Sequence, residues 1–142
     1  FDKLVRNRSS VNVNVAAHFY NGDTQFDGMR TGAVGETVQC RTLKDILQVN
    51  HAPAIIDYLS IDVEGAEMAV LKGMDFILYH VRMITIEHNA YLEGPGRQEL
   101  IFDYLTSQGF TRTHKDVKCL TAPYEGVIYE DWYENINDKP KG

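Results

Sequence analysis

The sequence predicts an α/β fold, and three observations support this prediction. Strand-like and helix-like segments alternate along the chain, which is the order typical of a sheet covered by helices. Ile55 to Val63 is a nearly continuous apolar segment, as expected for a strand buried on both faces. Val81 to Glu87 is a second apolar strand, and both segments lead into acidic residues. Ligands of open α/β sheets bind beyond the carboxyl ends of the strands, so these acidic residues predict a site.

Short strands dominate the first part of the chain. Valine alternates with asparagine from Val11 to Val15, a period of two that is typical of a strand. Asn21-Gly22 favours a hairpin turn, and Thr42 is suited to cap a helix. The elements predicted here are a helix end at residues 1–8, strands at 11–15, 18–20, 24–26 and 37–41, a loop with three glycines at 28–35, and a helix at 42–48.

The remainder of the chain alternates between helices and strands and closes with two strands that predict an antiparallel pair. Gly73 and Gly109 stand where helices end, and glycine readily takes the left-handed conformation common there. The predicted apolar face of the long helix consists of Leu100, Ile101, Tyr104 and Leu105. The predicted elements are a turn at 50–54, a strand at 55–63, helices at 66–72 and 75–80, a strand at 81–87, a loop at 89–96, a helix at 97–108, strands at 110–115 and 118–129, and a frayed polar tail at 134–142.

The composition excludes several classes of protein. The net charge of −6 and the absence of a basic stripe argue against a nucleic-acid partner. No apolar run approaches the roughly 20 residues of a membrane span, and no signal peptide is visible in a chain that starts at Phe1. Cys40 and Cys119 form no metal-binding spacing, so we expect two reduced thiols, with a long-range disulfide as the alternative.

Four residues form the predicted acid/base cluster. Asp62 and Glu64 lie two apart at the end of one apolar strand, and Glu87 and His88 lie at the end of the next. If the strands are neighbours, these side chains meet at one rim of the sheet. Adjacent carboxylates raise each other's pKa and hold a nearby histidine in its charged form, as proton-transfer chemistry requires.

Other interpretations of the same residues stay open. Asp62 could cap the following helix, and Glu67 is best explained by the positive end of the helix dipole. Asp62, Glu64 and His88 could instead bind a hard metal ion, and His88 could be a solvated loop residue. The remaining histidines, which have no obvious partner and are expected at the surface, are His18, His51, His80 and His114.

The segment from Ile56 to Glu67, followed by Val70 to Gly73, closely resembles the signature of FkbM-type methyltransferases. Further segments resemble the family in the same order, with Lys44 standing where the family usually has aspartate. They are Cys40–Asp45, Ile84–Glu87, Val15–Ala17 with Asn21-Gly22, and Phe110–Lys115 with Val127–Tyr129. The resemblance implies a Rossmann-like sheet that binds S-adenosylmethionine and methylates a hydroxyl of a sugar or natural-product-like molecule.

The resemblance also implies which residues act. Ala16 and Ala17 would border the adenine, and Asp62 would lie near the transferred methyl, with Glu64, Glu87 or His88 as the base or substrate-orienting group. The first two strands of such a domain, with its glycine-rich cofactor loop, have no counterpart here. We therefore expect residues 1–133 to be the C-terminal two-thirds of the domain, inactive without an N-terminal remainder.

Three functions from different classes follow. The first is an O-methyltransferase acting on a small-molecule or glycan hydroxyl, with S-adenosylmethionine as cofactor. The second is a non-catalytic interaction module with the same fold, and the missing glycine-rich loop favours it. The third is a hydrolase in which the rim carboxylates hold a metal.

Overall fold

A sheet of four strands positions Asp62, Glu87 and His88. The strands are β3 (Ile55–Ile61), β4 (His80–Glu87), β5 (Phe110–Lys118) and β6 (Ile128–Asn135). Their spatial order is β3-β4-β6-β5; β3 and β4 are parallel, and β6 is antiparallel to both β4 and β5. The two predicted apolar strands are therefore neighbours, and the predicted antiparallel pair at the end of the chain is confirmed.

The structure is a computed structural model that describes residues 22–25, 37–63, 65–88 and 90–138. The predicted elements at residues 1–20 and the glycine-containing loop lie outside these ranges. The chain divides into two compact units, Phe1–Pro53 with Ala69–Asp75, and Ala54–Met68 with Phe76–Gly142. Among the described residues, no helix is both long and apolar enough to span a bilayer.

The first unit contains a small antiparallel ladder and one capped helix. β1 (Gly22–Gln25) pairs with β2 (Thr37–Cys40). Helix α1 (Leu43–Val49) begins as predicted, because the hydroxyl of Thr42 accepts a hydrogen bond from the backbone N–H of Asp45 at 3.1 Å. The buried apolar side chains of this unit are Ile46, Leu47, Val70, Leu71 and Met74.

Three further helices follow along the chain. They are α2 (Glu67–Lys72), α3 (Ala90–Glu93) and α4 (Gly96–Ser107). Gly109 follows the end of α4, as predicted, and has a left-handed conformation with φ of 88°. The buried apolar side chains of the second unit are Ile61, Tyr79, Val81, Ile84, Ile86, Ile101, Leu105, Phe110 and Tyr133.

Several predicted helix boundaries are wrong. Gly73 is buried and does not take a positive φ. Residues 75–80 do not form a helix: His80 already belongs to β4, and its backbone N–H donates to Ala54 O at 2.7 Å. The predicted loop at 89–96 contains the single helical turn α3. In segments of four to six residues, sequence periodicity does not determine whether a helix forms, because so short a helix depends on tertiary contacts.

The last strand starts later and extends further than predicted. Pro123 cannot donate to a ladder, and residues 119–127 form a loop instead. This loop is closed by two 2.8 Å hydrogen bonds, from Cys119 N–H to Val127 O and from Gly126 N–H to Cys119 O. β6 then continues to Asn135 and is followed by a 3₁₀ turn at Ile136–Asp138, so residues 134–138 are not the frayed tail that the sequence predicted.

Side-chain contacts hold this C-terminal segment against the beginning of β4. The amide of Asn135 donates to Val81 O at 3.1 Å, and Asp138 lies 2.9 Å from the ring of His80. Arg82 pairs with both Asp138, at 3.5 Å, and Asp57, at 2.7 Å. The structured region therefore reaches at least Asp138, five residues beyond the predicted boundary.

Two leucines of α4 test which face of the helix is buried. Leu105 is fully buried, whereas Leu100, which the sequence predicted on the same face, is 61% exposed. We expect Leu105→Ala to lower the free energy of unfolding by about 3 kcal/mol, because it leaves a cavity. The matched variant Leu100→Ala should change it by less than about 0.5 kcal/mol. Urea unfolding measures both, and equal losses would contradict the orientation of α4.

Candidate functional site

Asp62 and Glu87 lie at the same end of the sheet, as predicted. Ile61 is paired with Ile86 in the parallel register of β3 and β4, so the next residues, Asp62 and Glu87, follow side by side. Asp62 is exposed and Glu87 is half-buried. Glu64, Ala16 and Ala17 lie outside the described residues, so their places in the site remain predictions.

The turn after β3 is held by a buried carboxylate. Oε1 of Glu67 accepts hydrogen bonds from the backbone N–H groups of Gly65 at 2.9 Å and Val63 at 3.3 Å. Its other oxygen, Oε2, lies 3.4 Å from the guanidinium of Arg97. Glu67 is fully buried, so these contacts together compensate the loss of water around its charge.

Gly65 is required at this turn for two reasons. Its φ is 106°, a conformation that residues with a side chain rarely adopt. A Cβ atom at this position would lie 3.1 Å from Nη1 of Arg97. The acidic signature thus has a structural explanation, because the glycine allows the turn and Glu67 and Arg97 hold it closed.

Glu67 therefore does more than the sequence predicted. The interpretation as a helix-start residue is correct in position, because Glu67 lies in the first turn of α2. The helix dipole is not its main role, since its carboxylate is fully buried and binds the turn that carries Asp62. Sequence spacing alone does not distinguish these two roles.

His88 is buried, not solvated, with only 1% of its surface exposed. Its backbone N–H donates to Tyr129 O at 2.9 Å, which extends the β4–β6 ladder by one residue. Its Nδ1 accepts the backbone N–H of Ala90 at 3.1 Å, so in the neutral ring the proton is on Nε2. Nε2 lies 3.4 Å from the amide nitrogen of Gln98 and 3.6 Å from Oδ1 of Asp131.

Asp131 is the centre of a polar cluster within this unit. Its Oδ1 accepts from the backbone N–H of Asp116 at 2.8 Å, and both of its oxygens lie 3.1 Å from the amide nitrogen of Gln98. Its Oδ2 accepts from Arg112 at 3.1 Å. Burial by itself raises the pKa of Asp131, but the facing His88 ring and the hydrogen bonds from Asp116 and Gln98 outweigh it and lower the pKa.

An irregularity in β5 brings Asp116 into this cluster. The register of β5 against β6 shifts between His114 and Val117, and Asp116 takes a positive φ of 59°. This bulge directs the Asp116 N–H at Asp131 and its carboxylate at the amide of Gln98, at 2.8 Å. Bulges commonly redirect side chains near functional sites.

Arg112 closes the cluster on the side of Oδ2. Its guanidinium carbon lies 4.3 Å from the centre of the Phe102 ring, a cation–π contact, while a guanidinium nitrogen contacts Asp131. The hydroxyl of Tyr133 also approaches Oδ2, at 3.5 Å. Burial and the charge of Asp131 raise the pKa of Tyr133, so this hydroxyl remains a donor.

Three residues have the composition of a metal site. One ligand atom each from His88, Asp116 and Asp131 lies within 4.8 Å of the others. The oxygens of Asp131 already accept from Asp116, Gln98 and Arg112, so a cation would have to displace these donors. Asp62 is not a member of this group, and Glu64 lies outside the described residues, so the metal set of Asp62, Glu64 and His88 stays a prediction.

Additional groups near the rim come from the end of β6. Glu130 is paired with Glu87, and its carboxylate accepts from the indole of Trp132 at 2.6 Å. Burial raises the pKa of Tyr129, and the charges of Glu130, Cys119 and Asp62 raise it further. The phenol of Tyr129 therefore stays protonated near Asp62 and can donate a hydrogen bond at the rim.

The sequence prediction missed Asp131, Gln98 and Tyr129 as site residues. One signal was available for Asp131, because alternation in the last strand places it on the same face as the buried Tyr133. Gln98 gave no such signal, since nothing local distinguishes it from an exposed helix residue. Two histidines predicted without partners also have them: His80 pairs with Asp138, and His114 stacks at 4.7 Å on Trp132.

Comparison with known proteins assigns the chain to a family. The sequence model of the Methyltransferase FkbM domain matches residues 6–112, which is more than half of the chain. The chain belongs to the FkbM methyltransferase family. No curated protein and no solved structure matches it. The FkbM match includes the signature turn, Glu87 and Gln98, but ends before Asp116 and Asp131.

Neutralising Glu67 tests the role of its buried carboxylate in the turn after β3, where it accepts from Val63 and Gly65. We expect Glu67→Gln to lower the free energy of unfolding by about 2 kcal/mol, because hydrogen bonds to a charged group are worth about 1.5–3 kcal/mol. Glu99→Gln, an exposed change on α4, should alter it by less than about 0.5 kcal/mol. Urea unfolding is the measurement. Equal effects of the two changes would show that Glu67 acts only through the helix dipole.

The lowered pKa of Asp131 predicts a dependence of stability on pH. The contribution of its carboxylate to the free energy of unfolding is complete above the unfolded-state pKa near 3.8. It is lost as the pH falls through the lower folded-state pKa. The free energy of unfolding of the wild type should therefore be about 2 kcal/mol higher than that of Asp131→Asn at pH 7. This difference should shrink below pH 3.8. Urea unfolding at pH 7, 5, 4 and 3 measures it, and a constant difference would contradict the assignment.

Proposed function

We propose that this FkbM-family protein is an S-adenosylmethionine-dependent O-methyltransferase that acts on a hydroxyl group of a sugar or natural-product-like small molecule. The observation that carries the proposal is the position of Asp62 and Glu87, which directly follow the last paired residues of two neighbouring parallel strands, in a chain of this family. That edge is where open α/β sheets bind their ligands.

The residues at this edge fit the cofactor electrostatically. S-adenosylmethionine supplies an electrophilic methyl group on a cationic sulfonium. Asp62 is exposed, and Glu87 and Glu130 are paired beside it, so this edge concentrates negative charge. We assign Asp62 to the side of the methyl group, with Ala16 and Ala17 on the adenine side as the family resemblance implies.

The chemistry requires a group that takes the proton of the attacking hydroxyl. Glu87 is half-buried next to Asp62, so its carboxylate lies at the edge where the acceptor hydroxyl would have to give up its proton. We assign this role to Glu87 or Asp62, with Glu64 as a further candidate. Tyr129, which stays protonated, is suited to donate a hydrogen bond that orients the acceptor.

His88 is a weaker candidate for the base than the carboxylates. Its Nδ1 already accepts the N–H of Ala90, and its Nε2 faces Gln98 and Asp131 inside the protein. With 1% of its surface exposed, it does not reach a substrate in this conformation. We propose that His88 supports the end of β4 and does not exchange a proton with the acceptor.

Asp62→Asn tests the function. In the full-length gene product that contains this sequence, the change should lower methyl transfer by about 10²–10⁴-fold, the usual loss when a positioned acid/base group is removed. Stability should change by less than about 0.5 kcal/mol, because Asp62 is exposed. The measurement is transfer of labelled methyl from S-adenosylmethionine to a panel of sugar and polyketide hydroxyls.

Asp103→Asn is the matched control, since Asp103 is an exposed aspartate on α4 and has no part in the rim. It should leave the rate unchanged. Near-normal turnover by Asp62→Asn would remove Asp62 from the mechanism. Failure of the wild-type protein to bind S-adenosylmethionine in calorimetry would favour the non-catalytic interaction module instead.

A further inference from the structure

We propose that Asp131 is a positioning residue for methyl transfer, which acts through the buried His88 to fix the end of β4 where Glu87 lies beside Asp62. The inference rests on the proposed function and extends it to a residue beyond the segment that the family model matches. Asp131 itself is fully buried.

The first step of the argument is the location of the contacts. Asp131 is paired with Ile86 in the β4–β6 ladder, so it lies one residue away from the end of β4. His88 follows that end and is enclosed, with the N–H of Ala90 on one ring nitrogen and Gln98 and Asp131 at the other. The ring therefore connects the buried cluster to the chain segment that leaves the strand.

The second step is that the two oxygens of Asp131 face different groups. Oδ1 faces His88 and accepts the N–H of Asp116, whereas Oδ2 faces Arg112 and the hydroxyl of Tyr133. The amide of Gln98 is the one partner that they share, at 3.1 Å from each. Changes on the Oδ2 side can thus alter the stability of the cluster without altering the side that meets His88. This separation makes a positioning role distinguishable from a purely structural one.

The third step is the number of available protons. The amide nitrogen of Gln98 has two hydrogens but lies within 3.1 Å of three carboxylate oxygens, one of Asp116 and both of Asp131. Nε2 of His88 carries a proton and cannot accept from Gln98, so both amide hydrogens are left for these oxygens. The same hydrogen bonds therefore set the orientations of three groups, the His88 ring, the Gln98 amide and the Asp131 carboxylate.

The consequence for the reaction is geometric. Glu87 precedes His88 directly, so rotation of the His88 ring out of its enclosure shifts the backbone on which Glu87 stands. A misplacement of about 1 Å at a reacting centre can cost about 100-fold in rate. Asp131 is thus expected to affect kcat more strongly than the KM for S-adenosylmethionine or for the acceptor.

The test compares three variants in the full-length gene product. Asp131→Leu replaces both oxygens by methyl groups on the same branched skeleton. Asp131→Asn keeps a carbonyl oxygen, which is favoured on the Oδ1 side because the backbone N–H of Asp116 makes the shortest contact there, at 2.8 Å. Arg112→Gln removes the ion pair on the Oδ2 side only. The readouts are kcat and KM well below each unfolding midpoint, and hydrogen exchange of the Ala90 amide, which donates to His88.

We expect Asp131→Leu to lower kcat by about 10–100-fold with KM changed by less than about threefold, and to speed Ala90 exchange at least about tenfold. Asp131→Asn and Arg112→Gln should lose stability but keep kcat within about threefold and keep Ala90 protected. Equal kcat losses in all three variants would overturn the proposal, because they would reflect stability alone. Faster Ala90 exchange in Asp131→Leu without a loss of kcat would also overturn it.

If Asp131→Leu does not fold, Gln98→Met takes its place in the test. It removes the amide between His88 and Asp131 while keeping the length of the side chain, so kcat should fall and Ala90 exchange should rise; unchanged values overturn the proposal. Absence of methyl transfer by the wild-type protein overturns the proposed function and the role of Asp131 in it. In that case the Ala90 exchange still shows whether Asp131 holds His88, so the two failures are distinguishable.

Discussion

The buried Asp131 carboxylate is the interaction on which the rest of the second unit depends. Residues of β5 and α4 donate to it, His88 faces it from the end of β4, and it stands in the centre of β6. A buried charge is tolerated only when donors surround it, so the bulge at Asp116 and the position of Gln98 are required by the same carboxylate. The elements therefore hold one another in place.

A second buried carboxylate, Glu67, has a comparable role at the end of β3. It closes the turn at Gly65 and is neutralised by Arg97 from α4. Asp62 thus leaves β3 on a fixed turn, while Glu87 leaves β4 next to an enclosed His88. Each of the two rim carboxylates is supported by a buried group, and α4 contributes to both supports through Arg97 and Gln98. Such preorganisation is what a site for group transfer needs.

Much of the fold was predictable because the signals are local. The apolar runs of β3 and β4, the Thr42 cap and the glycine after α4 depend on neighbouring residues only, and the structure confirms them. The short helices and the limits of β6 were not predictable. Residues 75–80 and the single turn α3 are much shorter than the window in which a helical period can be recognised. β6 is delimited by the loop that contains Pro123.

The sequence by itself determined the family, the parallel strand pair and the common end at which Asp62 and Glu87 lie, because strand pattern and motif are read along the chain. Only the tertiary structure decided that His88 is enclosed, that Glu67 binds a turn, and that Asp131, Gln98 and Arg112 form one cluster. The reason is that burial and charge pairing join residues far apart in the sequence. An aspartate in a strand or a glutamine in a helix carries no local sign of the partner it will meet.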